Sequence, residues 1–139
     1  MNKFKLTVEY DYDFTLVGVA CHEKDYRIAW AINNKLGIEL NKTEDLKIEL
    51  KKNTSPTLFP FYEFIDEEAF REYFLIGNRG GKGLLIPEQK QVDYFLMIRG
   101  TFNDKDKSSL LKQLKDINIV LAAYDIDANN LDSKQNLLF

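Results

Sequence analysis

The chain has 139 residues, of which 45% are hydrophobic, 13% aromatic and 29% charged, with a formal net charge of −3 at pH 7. This length is typical of one domain, and the apolar content is sufficient to fill a core, which argues against global disorder. The acidic balance argues against nonspecific nucleic-acid binding, because that activity needs clustered Lys and Arg side chains.

The chain's single cysteine, Cys21, cannot form an internal disulfide, which indicates a reducing compartment. The first residues alternate between polar and apolar and contain no apolar run of the length that a signal peptide needs. No segment approaches the roughly 20 apolar residues of a membrane-spanning helix. We therefore expect a soluble cytoplasmic domain without membrane contact.

The first elements in chain order are two strands and a helix. Residues 3–10 alternate in polarity, which predicts a strand with one exposed face, whereas residues 14–21 are apolar on both faces, which predicts a central strand. From Glu23 to about Leu36 the spacing becomes helical and places Trp30 and Asn33 on the core-facing stripe, and Gly37 is suited to end the helix.

The middle of the chain predicts several strands in hairpin style. Residues 46–51 alternate, and residues 58–65 form an aromatic strand in which Pro60 suggests an edge position. A turn at residues 66–68 leads to a strand over residues 70–76. Residues 77–83 are rich in glycine and predict a turn, and residues 92–99 predict a second central strand.

The last elements are a helix, with Asp104 or Asp106 as its N-cap, and a strand over residues 119–127. The whole pattern predicts an α+β two-layer sandwich, with a mostly antiparallel sheet of about six strands and two helices on one face. We expect one domain over residues 1–127 and a flexible C-terminal tail over residues 128–139. Because two helices cannot cover both faces of so large a sheet, the other face needs a partner, most simply a homodimer.

The segment Ile86–Tyr94 reads Ile-Pro-Glu, three polar residues and Val-Asp-Tyr. It resembles the signature of the IPExxVDY family, small bacterial proteins of unknown function. Residues 13–36, notably Asp25-Tyr26-Arg27 with Trp30 and Asn33, are similar to that family's N-terminal region. The resemblance implies a cytoplasmic housekeeping context and assigns no reaction.

The candidate binding residues are Glu88, Asp93 and Tyr94 from this segment, together with Trp30 and Asn33 from the first helix. The acidic residues and the tyrosine either anchor the loop through hydrogen bonds or line a ligand site. Anchoring is the favoured interpretation, because Asp and Glu beside turns commonly bond to the local backbone.

Other patterns offer weaker chemistry. Cys21 and His22 are neighbours whose side chains point to opposite faces of a strand, so they do not form a nucleophile–base pair, and alone they cannot supply a zinc shell. Residues 77–83 depart from the phosphate-loop pattern. Asp125 and Asp127 share one strand face, where they either hold a cation or are solvated, and the solvated interpretation is favoured. We predict no catalytic residue, no metal site and no cofactor.

Three functions remain open. The favoured one is a non-enzymatic binding, regulatory or protein-interaction module that takes a protein partner or forms a homodimer. An alternative is a carboxylate- or metal-dependent phosphoryl-handling enzyme, which requires Glu88, Asp93 and Asp125 or Asp127 to converge. A third is an RNA-contacting accessory protein, although nucleic acid is disfavoured by the charge. Its stacking platform would consist of the aromatic residues Phe59, Phe61, Tyr62, Phe64, Tyr73 and Phe74.

Overall fold

The computed structural model describes residues 14–52 and 54–139. Within them lie two helices and eight strands, here numbered in chain order. These are β1 (Phe14–Ala20), α1 (Asp25–Leu36), β2 (Asn41–Lys42), β3 (Leu46–Ile48), β4 (Thr57–Phe59), β5 (Phe61–Asp66), β6 (Arg71–Gly77), β7 (Tyr94–Gly100), α2 (Asp104–Lys115) and β8 (Ala122–Ile126). Two short 3₁₀ helices, Ala128–Asn130 and Lys134–Leu137, follow β8. The predicted strand over residues 3–10 lies outside the described residues.

Six strands form one antiparallel sheet in the order β2-β5-β6-β7-β1-β8, and β3 and β4 form a separate antiparallel pair. β1 pairs with β7 on one side and β8 on the other. Its two-sided apolar pattern is therefore explained by an interior position, as predicted. β7 lies between β6 and β1 and is likewise interior. The predicted α+β class, with a mostly antiparallel sheet, is confirmed.

Both helices pack on the same face of the sheet. α1 buries Ile28, Ala29 and Ile32, and α2 buries Leu110 and Leu114. They meet alternate residues of the strands, which share one face because successive side chains point to opposite sides. Those strand residues are Val17, Val19, Tyr62, Tyr73, Leu75, Tyr94, Leu96, Ile98 and Ala123. This helix-side core explains the amphipathic spacing of both helices. Neither helix within the described residues is long and apolar enough to cross a membrane.

The opposite sheet face is also buried, against the expectation that it waits for a partner. Its strand residues are Leu16, Phe74, Ile76, Phe95, Met97 and Ile126. They are covered by β4 through Phe59, by Leu85, Ile86 and Val92 of the β6–β7 connection, and by Ala128, Leu131 and Leu137. The chain itself thus supplies a second covering layer, so the basis for a homodimer through this face is lost. Residues 128–139, which we expected to form a separate tail, contribute to this second core.

Two further local predictions need correction. Pro60, which has no N–H to donate, separates the predicted aromatic strand into β4 and β5. The N-cap of α2 is Asn103, whose side chain accepts the Asp106 N–H at 2.8 Å, while the Asp106 carboxylate accepts the Asn103 N–H at 3.0 Å. This reciprocal capping box places Asp106 at the third helical position rather than at the cap. Gly37 ends α1 in the left-handed region with φ 69°, as predicted.

Candidate functional site

The segment Ile86–Tyr94 connects β6 to β7 and is fixed mainly by buried groups. Ile86 and Val92 have no exposed surface and belong to the second core. Pro87 and Glu88 lie between them at the surface. Ile86 and Val92 therefore serve packing, and the polar residues of the motif, Glu88, Asp93 and Tyr94, have separate roles.

Asn78 holds this connection from inside, although the sequence suggested only a turn there. Its side chain is fully buried and donates to the carbonyls of Val92 at 2.8 Å and Gln89 at 3.1 Å. Its amide oxygen accepts the N–H of Ile86 at 2.8 Å. One side chain thus satisfies three backbone groups of an irregular segment, which a buried loop requires because it lacks a regular ladder.

Glu88 binds the C-terminal segment. Its carboxylate accepts hydrogen bonds from the Ser133 N–H at 2.7 Å and from the Ser133 hydroxyl at 3.0 Å. Partial burial opposes ionisation of Glu88, but the hydrogen bonds from Ser133 outweigh it and lower its pKa. Asn136 adds a bond of 2.8 Å to the Leu85 carbonyl. These hydrogen bonds therefore hold residues 131–137 over the second core.

Asp93 and Tyr94 join β7 to the segment that follows β1. One oxygen of Asp93 accepts the Cys21 N–H at 2.8 Å, and the other accepts from Nε of Arg79, also at 2.8 Å. The Tyr94 hydroxyl donates to the Glu23 carbonyl at 2.6 Å. Burial, and then the charge of nearby carboxylates, raises the pKa of Tyr94, so the hydroxyl stays a donor. These bonds agree with the anchoring interpretation of the motif.

A cleft of about 420 Å³ opens where β1 ends and α1 begins. Asp93, Tyr94 and Arg79 line it, together with Cys21 and His22. Cys21 is buried whereas His22 is exposed, and no hydrogen bond between the two side chains occurs in the described part of the chain. Burial raises the pKa of the Cys21 thiol, which opposes formation of a nucleophilic thiolate. The cleft therefore brings a thiol, an imidazole, a carboxylate and a phenol to one place, without a hydrogen bond between the Cys21 and His22 side chains.

The carboxylates that the enzymatic alternative requires each have a separate partner. Asp125 pairs with Nζ of Lys107 at 3.2 Å, and Asp127 caps the 3₁₀ helix that follows it. Glu88 and Asp93 have the separate partners given above. Over residues 14–52 and 54–139, no group of three His, Cys, Asp or Glu side chains is placed to hold a metal ion. Asp93 lines the cleft described above, whereas Asp125 and Asp127 line a different pocket and Glu88 lines neither.

The predicted aromatic platform is packed rather than open. Phe59, Tyr62, Tyr73 and Phe74 are buried, and Phe61 is half-buried against Phe74 with ring centroids 5.8 Å apart. Tyr62 also donates from its hydroxyl to the carboxylate of Asp25 at 2.6 Å. Because stacking with bases needs exposed ring faces, these residues serve the two cores instead.

The two candidates on α1 have different environments. Asn33 donates to the Leu40 carbonyl at 3.2 Å and accepts the Leu40 N–H at 2.8 Å, so it fixes the chain after the helix. Trp30 was predicted to face the core, and this is wrong: 68% of its surface is exposed. Ile28 and Ile32 take the core positions, because the stripe at residues 28, 29 and 32 is more apolar than the one that contains Trp30.

Trp30 borders a groove of about 390 Å³ between α1 and the segment that follows α2, here called the Trp30 groove. Its other lining residues are Arg27, Ala31, Asn34, Lys35, Ile117, Asn118 and Ile119. The sequence contained a signal for the Trp30 groove, because α1 has a second apolar stripe beside the one at residues 28, 29 and 32. Such a stripe must face either a second core or solvent. The sequence contained no comparable signal for Asn78 or Arg79.

A scan against protein-family models finds no match to the chain, and a search of curated proteins finds no significant similarity. The resemblance to the IPExxVDY family therefore stays a prediction.

Proposed function

We propose that this chain is a non-enzymatic module that binds a segment of another protein in the Trp30 groove. The observation that carries the proposal is the 68% exposure of Trp30, the chain's single tryptophan. Tryptophan is among the residues most enriched at interaction hot spots, and a large aromatic side chain left in water forgoes much of its burial energy. Tyr26, one turn earlier on α1, is 61% exposed and extends the apolar surface.

The floor of the groove supports a preformed site. Ile117 is only 8% exposed, and Ala31 and Ile119 are half-buried against the helix-side core. These residues are held by the packing of both helices, so an incoming side chain meets a surface that is already ordered. Binding then needs little additional ordering of the protein, which favours affinity.

The rim of the groove supports a partner that is apolar and acidic. Its charged lining residues are the cations Arg27 and Lys35. Arg27 lies 3.7 Å from Glu23, and Lys35 pairs with Asp116. Both pairs are partly or largely exposed, and such pairs contribute little to stability, so a partner's carboxylates can replace these neighbours. We expect an apolar anchor residue flanked by Asp or Glu.

The motif residues support a non-enzymatic role. Glu88 and Asp93 each accept a backbone N–H from a distant part of the chain, and Tyr94 donates to a backbone carbonyl. Groups that act in catalysis must instead be positioned to reach a substrate atom. The buried free thiol of Cys21 fits a reducing cytoplasm, where we place the module.

The test is selection of binders from a displayed random-peptide library on the immobilised full-length chain. Selected peptides are then titrated against the chain while the emission of Trp30 is recorded. We expect peptides with an apolar anchor and flanking acidic residues, whose binding shifts the emission of Trp30 to shorter wavelength. Because Trp30→Ala has no tryptophan, its binding is followed by the fluorescence anisotropy of a dye-labelled selected peptide, and we expect it to be lost. Leu58→Ala, at an exposed apolar residue of β4, is the matched control. If no selected peptide requires Trp30, the proposal is wrong.

A further inference from the structure

The hairpin between β5 and β6 carries an exposed aromatic residue in a strained backbone conformation. Phe70 is 75% exposed. Its φ of 56° lies in the left-handed region, where Gly and Asn are accommodated at lower cost. Its carbonyl accepts the Thr101 N–H at 3.1 Å, which helps to hold the backbone there. Neither burial nor backbone preference explains phenylalanine at this position, which points to a role outside the fold.

The surroundings of Phe70 are apolar and charged. Two arginines lie close to it, and each is paired with another carboxylate, Arg71 with Asp106 and Arg99 with Glu72. Ile65 is 50% exposed, and Asp66, Glu67 and Glu68 come between it and Phe70 in the chain. The Asp66 carboxylate accepts the Ala69 N–H at 3.1 Å and shapes the turn. Residues 65–70, here called the hairpin tip, therefore present one exposed aromatic ring beside a cluster of carboxylates.

This chemistry complements the Trp30 groove. Trp30, Ile117 and Ile119 give the groove an apolar lining, and its charged lining residues are the cations Arg27 and Lys35. The hairpin tip offers the apolar anchor and the flanking carboxylates that such a groove accommodates. The carboxylates of the tip can replace Glu23 and Asp116 as the exposed partners of Arg27 and Lys35, whereas two acidic tips repel each other. Tip-to-groove contact is therefore favoured over tip-to-tip contact.

We propose that the hairpin tip of one copy docks in the Trp30 groove of a second copy, with Phe70 as the anchor. This inference rests on the proposed function and names its partner. The contact is heterologous, because it joins two different surfaces. In a pair, one copy keeps a free tip and the other a free groove, so assembly continues head to tail or closes into a ring. One hairpin tip provides a small interface, so the association is weak and depends on protein concentration and salt.

Sedimentation equilibrium over a series of protein concentrations tests the proposal. We expect the average mass of the wild-type chain to rise with concentration, and Phe70→Gly and Trp30→Ala each to stay monomeric. Glycine accepts the left-handed φ at this position, so Phe70→Gly is expected to fold and to unfold at a higher temperature than the wild type. Leu58→Ala is expected to associate like the wild type.

An equimolar mixture of Phe70→Gly and Trp30→Ala gives the sharpest result. The first variant keeps an intact groove and the second an intact tip, so the mixture is expected to form dimers and nothing larger. Reversing Glu67 and Glu68 to lysine is expected to weaken wild-type association by about tenfold or more, as is a rise in salt concentration.

A wild-type chain that stays monomeric throughout overturns the inference, as does a Phe70→Gly variant that associates like the wild type. If either result accompanies Trp30-dependent binding of selected peptides, the proposed function stands and only its assignment to a second copy is wrong. If peptide binding is also absent, both are wrong.

Discussion

Replacement of Asn78 by alanine is the most direct test of how the Ile86–Tyr94 connection is held. The change removes the partners of the Ile86 N–H and the Val92 carbonyl, both in buried hydrogen bonds of 2.8 Å. Each unsatisfied buried backbone group costs about 1–3 kcal/mol, so Asn78→Ala is expected to lower the free energy of unfolding by about 2–6 kcal/mol. The Gln89 carbonyl is only part-buried, and water can replace its partner. A domain of this size is typically stable by only about 5–15 kcal/mol.

The assay is urea denaturation followed by far-ultraviolet circular dichroism, with the slope of the transition unchanged. Tryptophan emission is unsuitable, because Trp30 is already exposed in the folded chain. Asn136→Ala is the matched control, since it removes one part-buried bond to the Leu85 carbonyl and is expected to cost about 1 kcal/mol. Equal losses in Asn78→Ala and Asn136→Ala would refute the network described for Asn78.

Asn78→Asp adds a pH-dependent check. An ionised carboxylate at this position faces the carbonyl oxygens of Gln89 and Val92 without a proton to donate. Burial and these oxygens are expected to raise the pKa of the new carboxyl above its unfolded value. A raised pKa in the folded state means that the stability of this variant increases as the pH falls through it. If acidification destabilises Asn78→Asp as it does the wild type, the buried position described for the residue 78 side chain is contradicted.

Three further outcomes follow from the anchors and the backbone. Asp93→Ala leaves the Cys21 N–H without an acceptor and is expected to cost about 1–3 kcal/mol in urea unfolding, whereas Arg79→Ala, which removes only the exposed partner, should cost about 1 kcal/mol or less. Folding lowers the pKa of Glu88, so its carboxylate stabilises the fold above the unfolded value of about 4.5, and this stabilisation is lost as the pH falls through the folded value. Glu88→Gln should therefore lose less melting temperature on acidification than the wild type. Gly100→Ala should be destabilised by about 1–3 kcal/mol, since φ at Gly100 is 103° and a Cβ there would lie 2.1 Å from the Phe70 carbonyl oxygen. The control is Gly81→Ala, where the space is open, and an equal loss of stability in that variant would refute the prediction.

The sheet was largely predictable because its signals are local. Alternation or two-sided apolarity marked β1 and β7, and the change of period marked α1 and α2. Gly37 and the glycine-rich stretch marked ends and turns through backbone preference. Pro60 was visible in the sequence as a residue that cannot donate to a strand ladder. The sequence did not show that the chain divides there into β4 and β5, which belong to two different sheets.

The covering of the second face was not predictable in the same way. Leu131 and Leu137 lie in a mostly polar stretch, and no periodicity shows that they fill a core together with Leu85, Ile86 and Val92 far earlier in the chain. The bond between Glu88 and Ser133 spans 45 positions, so its partner cannot be read from neighbours in the sequence. The expectation of a flexible tail followed from composition alone.

The candidate site was predicted only in part. Asp93 and Tyr94 were selected for their motif, and the hydrogen bonds show which groups they bind. Trp30 was selected as a binding candidate on a stripe that was predicted to face the core, whereas its side chain is exposed. The difference arises because α1 has two apolar stripes, and only the packing of the whole domain decides which one faces the sheet.

The placement of β1 has a consequence for biosynthesis. This strand is translated well before both of its neighbours in the sheet, β7 and β8, and the bond between Cys21 and Asp93 spans 72 positions. The apolar strand β1 therefore stays unpaired in the nascent chain until β7 and β8 have been made, and such long-range pairing slows folding.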